Sequence, residues 1–290
     1  MSDAPPPQTT ATLLVSCRDR TGLVAALSNF VADNGGNILD ADQHADLETG
    51  LFFMRLVFSV EGFKLARGEI ATALAQLGAR FDLTFDLTFS DVRPRVAVLA
   101  SKTPHCLYDL LLSHQLGELG GDLVAVLSNH DDLRPVAGHF GVRYEKIPVD
   151  PKSKAAAESA QQHILDELRV DLVVLARYMQ ILSPTFVARW PGRIINIHHS
   201  FLPAFVGAKP YHQARARGVK VIGATAHYVT ADLDQGPIIE QDVCRVSHRD
   251  DVEALVQKGR ELERLVLTRA VRAHLHRRVL VSSGKTIVFG

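Results

Sequence analysis

Apolar positions change their period along the chain, and each change marks an element. Residues 1–9 carry no apolar period and read as a loose, proline-rich tail. Ala11–Cys17 predicts a short strand, after which Leu23, Ala26, Leu27, Phe30 and Val31 recur with the spacing of one helix face. Asn34-Gly35-Gly36-Asn37 stops that helix, because Gly and Asn tolerate the left-handed backbone of a helix end. Strands are expected over 38–45 and 51–60, joined through Glu48-Thr49-Gly50, and a helix over 63–77. Leu83, Phe85, Leu87 and Phe89 alternate with polar residues, the pattern of a strand with one buried face. Strand, helix, strand, strand, helix, strand is the ferredoxin-like βαββαβ order, and it predicts a first domain over residues 9–90.

Asp91-Val92-Arg93-Pro94-Arg95 reads as a joint, and a second domain is expected over residues 95–290. Its strands, at 96–100, 123–128, 142–147 and 172–176, are almost continuously apolar and alternate with helices at 107–112 and 155–168. That combination means an α/β fold with a mostly parallel sheet covered on both sides, of Rossmann-like type. A buried strand at 194–198 runs into a loop ending at Pro203. A helix at 211–216, strands at 219–229 and 238–244, and a long helix over 251–275 follow, the last resting on Val252, Leu255, Val256, Leu262 and Leu265. Residues 278–290 read as a hairpin turning at Ser282-Ser283-Gly284-Lys285.

Charge narrows the function. Of 290 residues, 32 are Lys or Arg and 32 are Asp or Glu, so the chain lacks the basic excess of a nucleic-acid scaffold. Three scattered cysteines, Cys17, Cys106 and Cys244, indicate neither a disulfide framework nor a zinc ribbon. The first residues lack a basic stretch followed by an apolar run, and no segment has the apolar length to span a bilayer. A cytoplasmic protein with no membrane partner is expected.

Ligands of parallel α/β sheets sit outside the carboxyl ends of the strands. Asn196 and His198 lie at one such end, two residues apart and so on one face of their strand. A carboxamide donor beside an imidazole suits a site that stabilises an oxyanion and moves a proton. Arg177 to Leu182 lies at another strand end. His198-His199 and His212 raise the question of zinc, but neighbouring strand residues face opposite ways, and no metal is expected.

Two resemblances extend this reading. Asp19-Arg20-Thr21-Gly22-Leu23 is similar to the motif of the ACT family of small regulatory domains. The likeness implies an amino-acid effector site at Asp19, Arg20, Gly22 and Leu23, where Gly22 lets a carboxylate approach free N–H groups at the helix start. An uncovered sheet face also suits pairing between subunits, so a homo-oligomer is expected. The second resemblance rests on Asn196-Ile197-His198, on Ser200 to Phe205, and on Asp232-Leu233-Asp234-Gln235-Gly236-Pro237-Ile238-Ile239. These resemble the formyltransferase family that handles 10-formyltetrahydrofolate, over about residues 95–246.

By that resemblance Asn196, His198 and Asp234 are the catalytic trio. Met179, Gln180, Ile181 and Leu182 form the pterin-binding loop, with Thr230 and Ala231 opposite. Arg177 and His227 are further pocket candidates, Arg177 as a strand-end charge or a contact for the folate carboxylates. Either His198 or Asp234 is open as first base. A transformylase that uses a phosphorylated amine needs a glycine-containing phosphate loop near the first strand. Here that place reads Ala100-Ser101-Lys102-Thr103-Pro104-His105-Cys106-Leu107, and Val206 stands where transformylases often carry a Lys, with Lys209 nearby. An ACT domain fused to this catalytic domain is similar to the branch of the family that hydrolyses the formyl group. The expected activity is therefore hydrolysis of 10-formyltetrahydrofolate to formate and tetrahydrofolate, in support of one-carbon and purine metabolism, with no cofactor. Formyl transfer to glycinamide ribonucleotide and an inactive folate- or amino-acid-sensing module are the alternatives. A methionyl-tRNA formyltransferase is not expected from a chain that ends at Gly290 without basic excess.

Overall fold

The computed structural model describes residues 9–150, 152–203 and 210–290. Ala204, Phe205, Val206 and Lys209, together with the tail before Thr9, lie outside the described residues. The chain divides into two compact units, Met1–Arg93 with Ile287–Gly290, and Pro94–Thr286.

In the first unit, β1 (Thr10–Arg18), α1 (Leu23–Asp33), β2 (Ile38–Asp46), β3 (Leu51–Ser59), α2 (Arg67–Phe81) and β4 (Thr84–Phe89) build a four-stranded sheet of order β2-β3-β1-β4. All three pairings are antiparallel, the ferredoxin-like arrangement expected. Alternation along β1 sends Ala11, Leu13, Val15 and Cys17 into one core with Leu23, Leu27 and Val31 of α1 and Ile70 and Leu74 of α2. The helix expected from residue 63 begins at Arg67 instead. Phe63 is a core plug, its ring 5.7 Å from Phe58 and 6.2 Å from Phe30. The helix starts where the Glu69 carboxylate reaches back to accept the Ala66 N–H at 2.9 Å.

The second unit holds β5 (Arg95–Ala100), α3 (His105–Gln115), β6 (Asp122–Ser128), α4 (Arg134–His139), β7 (Arg143–Lys146), α5 (Lys154–Glu167), β8 (Leu172–Ala176), α6 (Pro184–Ala188) and β9 (Ile194–His198). It continues with α7 (Pro210–Arg217), β10 (Val221–Tyr228), β11 (Ile238–Arg245), α8 (Val252–Leu275) and the hairpin β12 (Val279–Ser282) to β13 (Lys285–Val288). Seven strands form one sheet of order β11-β10-β9-β8-β5-β6-β7. Strands β9 to β7 run parallel, while β10 pairs antiparallel with both β9 and β11. The short helices α4 and α6 have too few turns to show a period in the sequence.

Alternation sorts the core into two layers. Val96, Val98, Leu172, Val174, Ile195 and Ile197 face α3 and α8, where Leu107, Leu110, Leu262 and Val266 meet them. Ala97, Leu99, Val173, Leu175 and Ile194 face the other way, onto Leu165 of α5 and Phe186 of α6. One feature of α8 departs from its apolar pattern. Leu265 is 39% exposed, and the charged Glu263 is buried at 1% exposure. Leu255, Gly259, Leu262, Val266 and Ala270 form the buried stripe, and Glu263 falls on it, four residues beyond Gly259.

Candidate active site

Because Ile195 and Ile197 point toward α8, Asn196 and His198 emerge on the α5 and α6 face where β9 ends. Antiparallel pairing with β10 sets Asn196 opposite His227 and His198 opposite Thr225. The turn after β9 is held by Thr225, whose hydroxyl donates to the Ser200 carbonyl at 2.9 Å and accepts the Leu202 N–H at 3.0 Å. A register shift between Ala226 and His227 ends the regular pairing of β10 with β11.

Asp234 arrives from the β10–β11 loop on a left-handed backbone, φ +56. The loop closes tightly: Tyr228 N–H donates to the Pro237 carbonyl at 2.9 Å. A Cβ at Gly236 would lie 1.7 Å from the Tyr228 carbonyl oxygen, so no larger residue fits this loop. Asp234 Oδ2 is thereby set 3.3 Å from His198 Nδ1, and its Oδ1 3.7 Å from His227 Nε2. The contact with His198, and next the nearness of His227, holds the Asp234 carboxyl well below the usual carboxylate range despite the opposing effect of burial.

The tautomers follow from the partners. His227 Nδ1 lies 2.9 Å from the Tyr228 carbonyl, which only accepts, so Nδ1 carries the proton. His227 Nε2 lies 3.3 Å from Asn196 Nδ2, which fixes the carboxamide and leaves its second N–H to donate elsewhere. His198 Nδ1–H donates to the Asp234 carboxylate, so in the neutral ring the lone pair sits on Nε2. That atom is buried and has no hydrogen-bond partner among the described residues.

These groups line a cavity of about 330 Å³. Met179, Gln180, Ile181 and Leu182 border it on one side, Thr230 and Ala231 on another, and Arg177 and His199 also reach it. Met179 and Ile181 are 60% and 63% exposed, although large and apolar. The loop is tied down by Ser101, which accepts the Met179 N–H at 3.1 Å and donates to Asn129 Oδ1 at 2.8 Å. Sequence reasoning weighed the Ser101 segment as a candidate phosphate loop and missed this tie.

A second buried cluster, around Glu263, was also missed. His105 Nε2 and the Tyr211 hydroxyl each lie 2.8 Å from its carboxylate, and Arg177 Nε lies 3.4 Å away. Burial raises the Glu263 carboxyl, but His105, Arg177 and Tyr211 outweigh it and leave the group below its ordinary value. His105, Cys106 and Glu263 bring three ligand-type atoms within 4.8 Å of one another. The Arg177 guanidinium balances that carboxylate, and burial pushes the Cys106 thiol up, so the arrangement is an ion-pair cluster rather than a donor set for a cation. The visible signal was a glutamate at stripe spacing in α8. His199 is adjacent, its ring 6.1 Å from Tyr211, and burial, then the nearby Arg177, lower its pKa to about 4.

At the ACT-like motif, Gly22 caps α1 with φ +93 and no side chain caps its first turn. Arg20 donates to the Phe81 carbonyl and stacks over the Phe81 ring at 5.3 Å, while Asp19 N–H donates to Gly50 at 2.9 Å.

Residues 94–271 match the Formyl transferase family, and residues 11–79 match the ACT domain. A formyltetrahydrofolate deformylase from Synechocystis sp. is 52% identical over 280 residues, 97% of this chain and 98% of that protein. The chain belongs to the formyltetrahydrofolate deformylase family. A crystal structure of a formyltetrahydrofolate deformylase from Pseudomonas syringae pv. tomato superposes with a TM-score of 0.95 at 47% identity, covering 98% of this chain and 96% of that one. Glycinamide ribonucleotide transformylase 1 from Symbiobacterium toebii reaches a TM-score of 0.64 at 32% identity, covering 95% of its own length but 68% of this chain. The deformylase likeness thus extends over both units, whereas about a third of this chain has no counterpart in the transformylase.

Proposed function

We infer that this protein hydrolyses 10-formyltetrahydrofolate to formate and tetrahydrofolate. The observation that carries the reading is the meeting of Asn196, His198 and Asp234 in one cavity of a chain whose family is the deformylases. Water held at His198 Nε2 gives up a proton to that lone pair as its oxygen bonds to the formyl carbon. The second N–H of Asn196 donates to the oxyanion that forms, a contribution of about 3 kcal/mol for one well-placed donor. Asp234 stays ionised and stabilises the imidazolium. His198 is therefore the base, and Asp234 orients it. When the C–N bond breaks, the imidazolium returns the proton to N10, leaving formate and tetrahydrofolate.

The exposed apolar side chains of Met179 and Ile181, with Thr230 and Ala231 opposite, support pterin binding at that end of the cavity. The uncapped first turn of α1 at Gly22 supports an amino-acid effector in the ACT unit, and the edge strand β2 supports pairing into a homo-oligomer. Free Cys17, Cys106 and Cys244 support a reducing, cytoplasmic setting, and no helix among the described residues is long and apolar enough to cross a membrane.

Single-turnover release of formate tests the activity. Formate from 10-formyltetrahydrofolate without any acceptor is the expected result. Formyl transfer that requires glycinamide ribonucleotide would make the protein a transferase, and neither product would make it a sensor.

A further inference from the structure

We propose that Ser101 and Glu158, neither of which lines the cavity, are positioning residues that hold the loop of residues 177–183 in its substrate-binding shape; this rests on the hydrolase reading above. Backbone N–H and C=O groups normally find partners in secondary structure or on nearby side chains. In this loop, which joins β8 to α6, no backbone group from Tyr178 to Leu182 bonds to another backbone group among the described residues. Its shape therefore comes from side chains that reach it from other elements.

Ser101, at the exit of β5, accepts the Met179 N–H at 3.1 Å, and its own hydroxyl donates to Asn129 Oδ1 at 2.8 Å. On α5, Gln161 Nε2 donates to the Tyr178 hydroxyl at 2.7 Å. One turn earlier on the same helix face, Glu158 accepts the Ser183 N–H on Oε1 at 2.9 Å and the Ser183 hydroxyl on Oε2. Ser183 in turn caps α6, accepting the Phe186 N–H at 3.1 Å. The ties thus fall at Tyr178 and Met179 on one side and at Ser183 on the other. Between them, the backbone groups of Gln180, Ile181 and Leu182 bond to nothing among the described residues, and all three residues line the cavity. The loop brings unpaired backbone to the cavity with both of its ends already fixed.

A ligand that meets a fixed loop does not bear the entropy of ordering it, and cutting a tie returns that cost to binding. The reacting groups are held independently. Asn196 and His198 are set by the pairing of β9 with β10, and Asp234 by the tight loop at Gly236. Loss of a tie should therefore weaken the bound substrate and its transition state alike, which raises KM and spares kcat. Glu158 serves through its acceptor geometry rather than its charge, since a carboxamide there would still accept the Ser183 N–H and could donate to the Ser183 hydroxyl. α6 has a second hold on α5, the Trp190 Nε1–H bond to Gln162 Oε1 at 3.0 Å, so the Glu158 tie is not what docks the helix.

The test is kcat and KM for formate release from 10-formyltetrahydrofolate, together with the equilibrium Kd of tetrahydrofolate. Glu158→Ala and Ser101→Ala should each raise KM and Kd about tenfold and leave kcat within about twofold of wild type. Glu158→Gln should restore both constants. If Glu158→Ala does not fold, Ser101→Ala and Glu158→Gln decide. Folded alanine variants with wild-type KM and Kd overturn the proposal, and so does a loss of kcat at unchanged KM, which would place the effect on the chemical step. A Glu158→Gln variant as weak as Glu158→Ala also overturns it, because charge would then be what acts. A wild type that releases no formate without an acceptor overturns the parent reading instead, and is recognised before any variant is measured.

Discussion

His198 keeps its two ring nitrogens in unlike company. Nδ1 faces an ionised carboxylate at 3.3 Å, and Nε2 is buried in the cavity with no partner among the described residues. In the hydrolysis we propose, this asymmetry leaves the ring one atom, Nε2, at which to act as base. Asp234→Asn should therefore leave folate affinity nearly intact and cut turnover by about a thousandfold or more, because the amide lets the ring adopt the other tautomer. Stopped turnover with equilibrium binding of a folate analogue checks it; equal loss of affinity and rate would make Asp234 a binding residue. That Asn196 and His198 share a face was legible in the sequence, since a strand fixes which side chains point together, whereas Asp234 entered only through the motif that resembles the formyltransferase family. The roles were not legible. Which of His198 and Asp234 takes the proton depends on a carboxylate brought from 36 residues away in the chain to within hydrogen-bonding range of one ring nitrogen.

At the level of elements, the site is a seam where the parallel sheet turns antiparallel. β9 and β10 place Asn196 beside His227, and the loop leaving β10 returns Asp234 over His198. The return depends on Gly236, whose missing Cβ leaves room for the Tyr228 carbonyl. Gly236→Ala should lower kcat/KM by about a hundredfold or more through displacement of Asp234, with a smaller loss of overall stability. Comparing kinetics with the urea midpoint separates the two, and an unaltered kcat/KM would show that the loop has slack. The long strands and helices were readable because their apolar periods run through several turns or pleats. The start of α2, the short α4 and α6, and the buried face of α8 at Glu263 were not, because capping contacts and a tertiary ion pair set them.

Across the whole molecule, buried imidazoles tie stability to pH. His199, through burial and then Arg177, and His274, through burial, both have pKa values lowered from 6.5 to about 4. Both are neutral in the native state and take up a proton on unfolding below about pH 6.5. Their contribution is thus complete above about 6.5 and is lost as pH falls toward about 4, by roughly 3 kcal/mol for each ring. Urea unfolding at a series of pH values should show that decline, and a flat profile across the window would mean that both rings titrate normally.

The sequence by itself determined the two fold types, the strand that carries Asn196 and His198, and the pair of motifs that resembles the formyltransferase family. These are local facts, written in alternation, helical spacing and contiguous residues. Only the tertiary structure decided that His198 points one nitrogen at Asp234 and leaves the other free, that Ser101 anchors the Met179 loop, and that Arg177 is pinned by a glutamate on α8. Each of these joins side chains far apart in the chain, and no periodicity along a chain records the distances between residues that folding alone brings together.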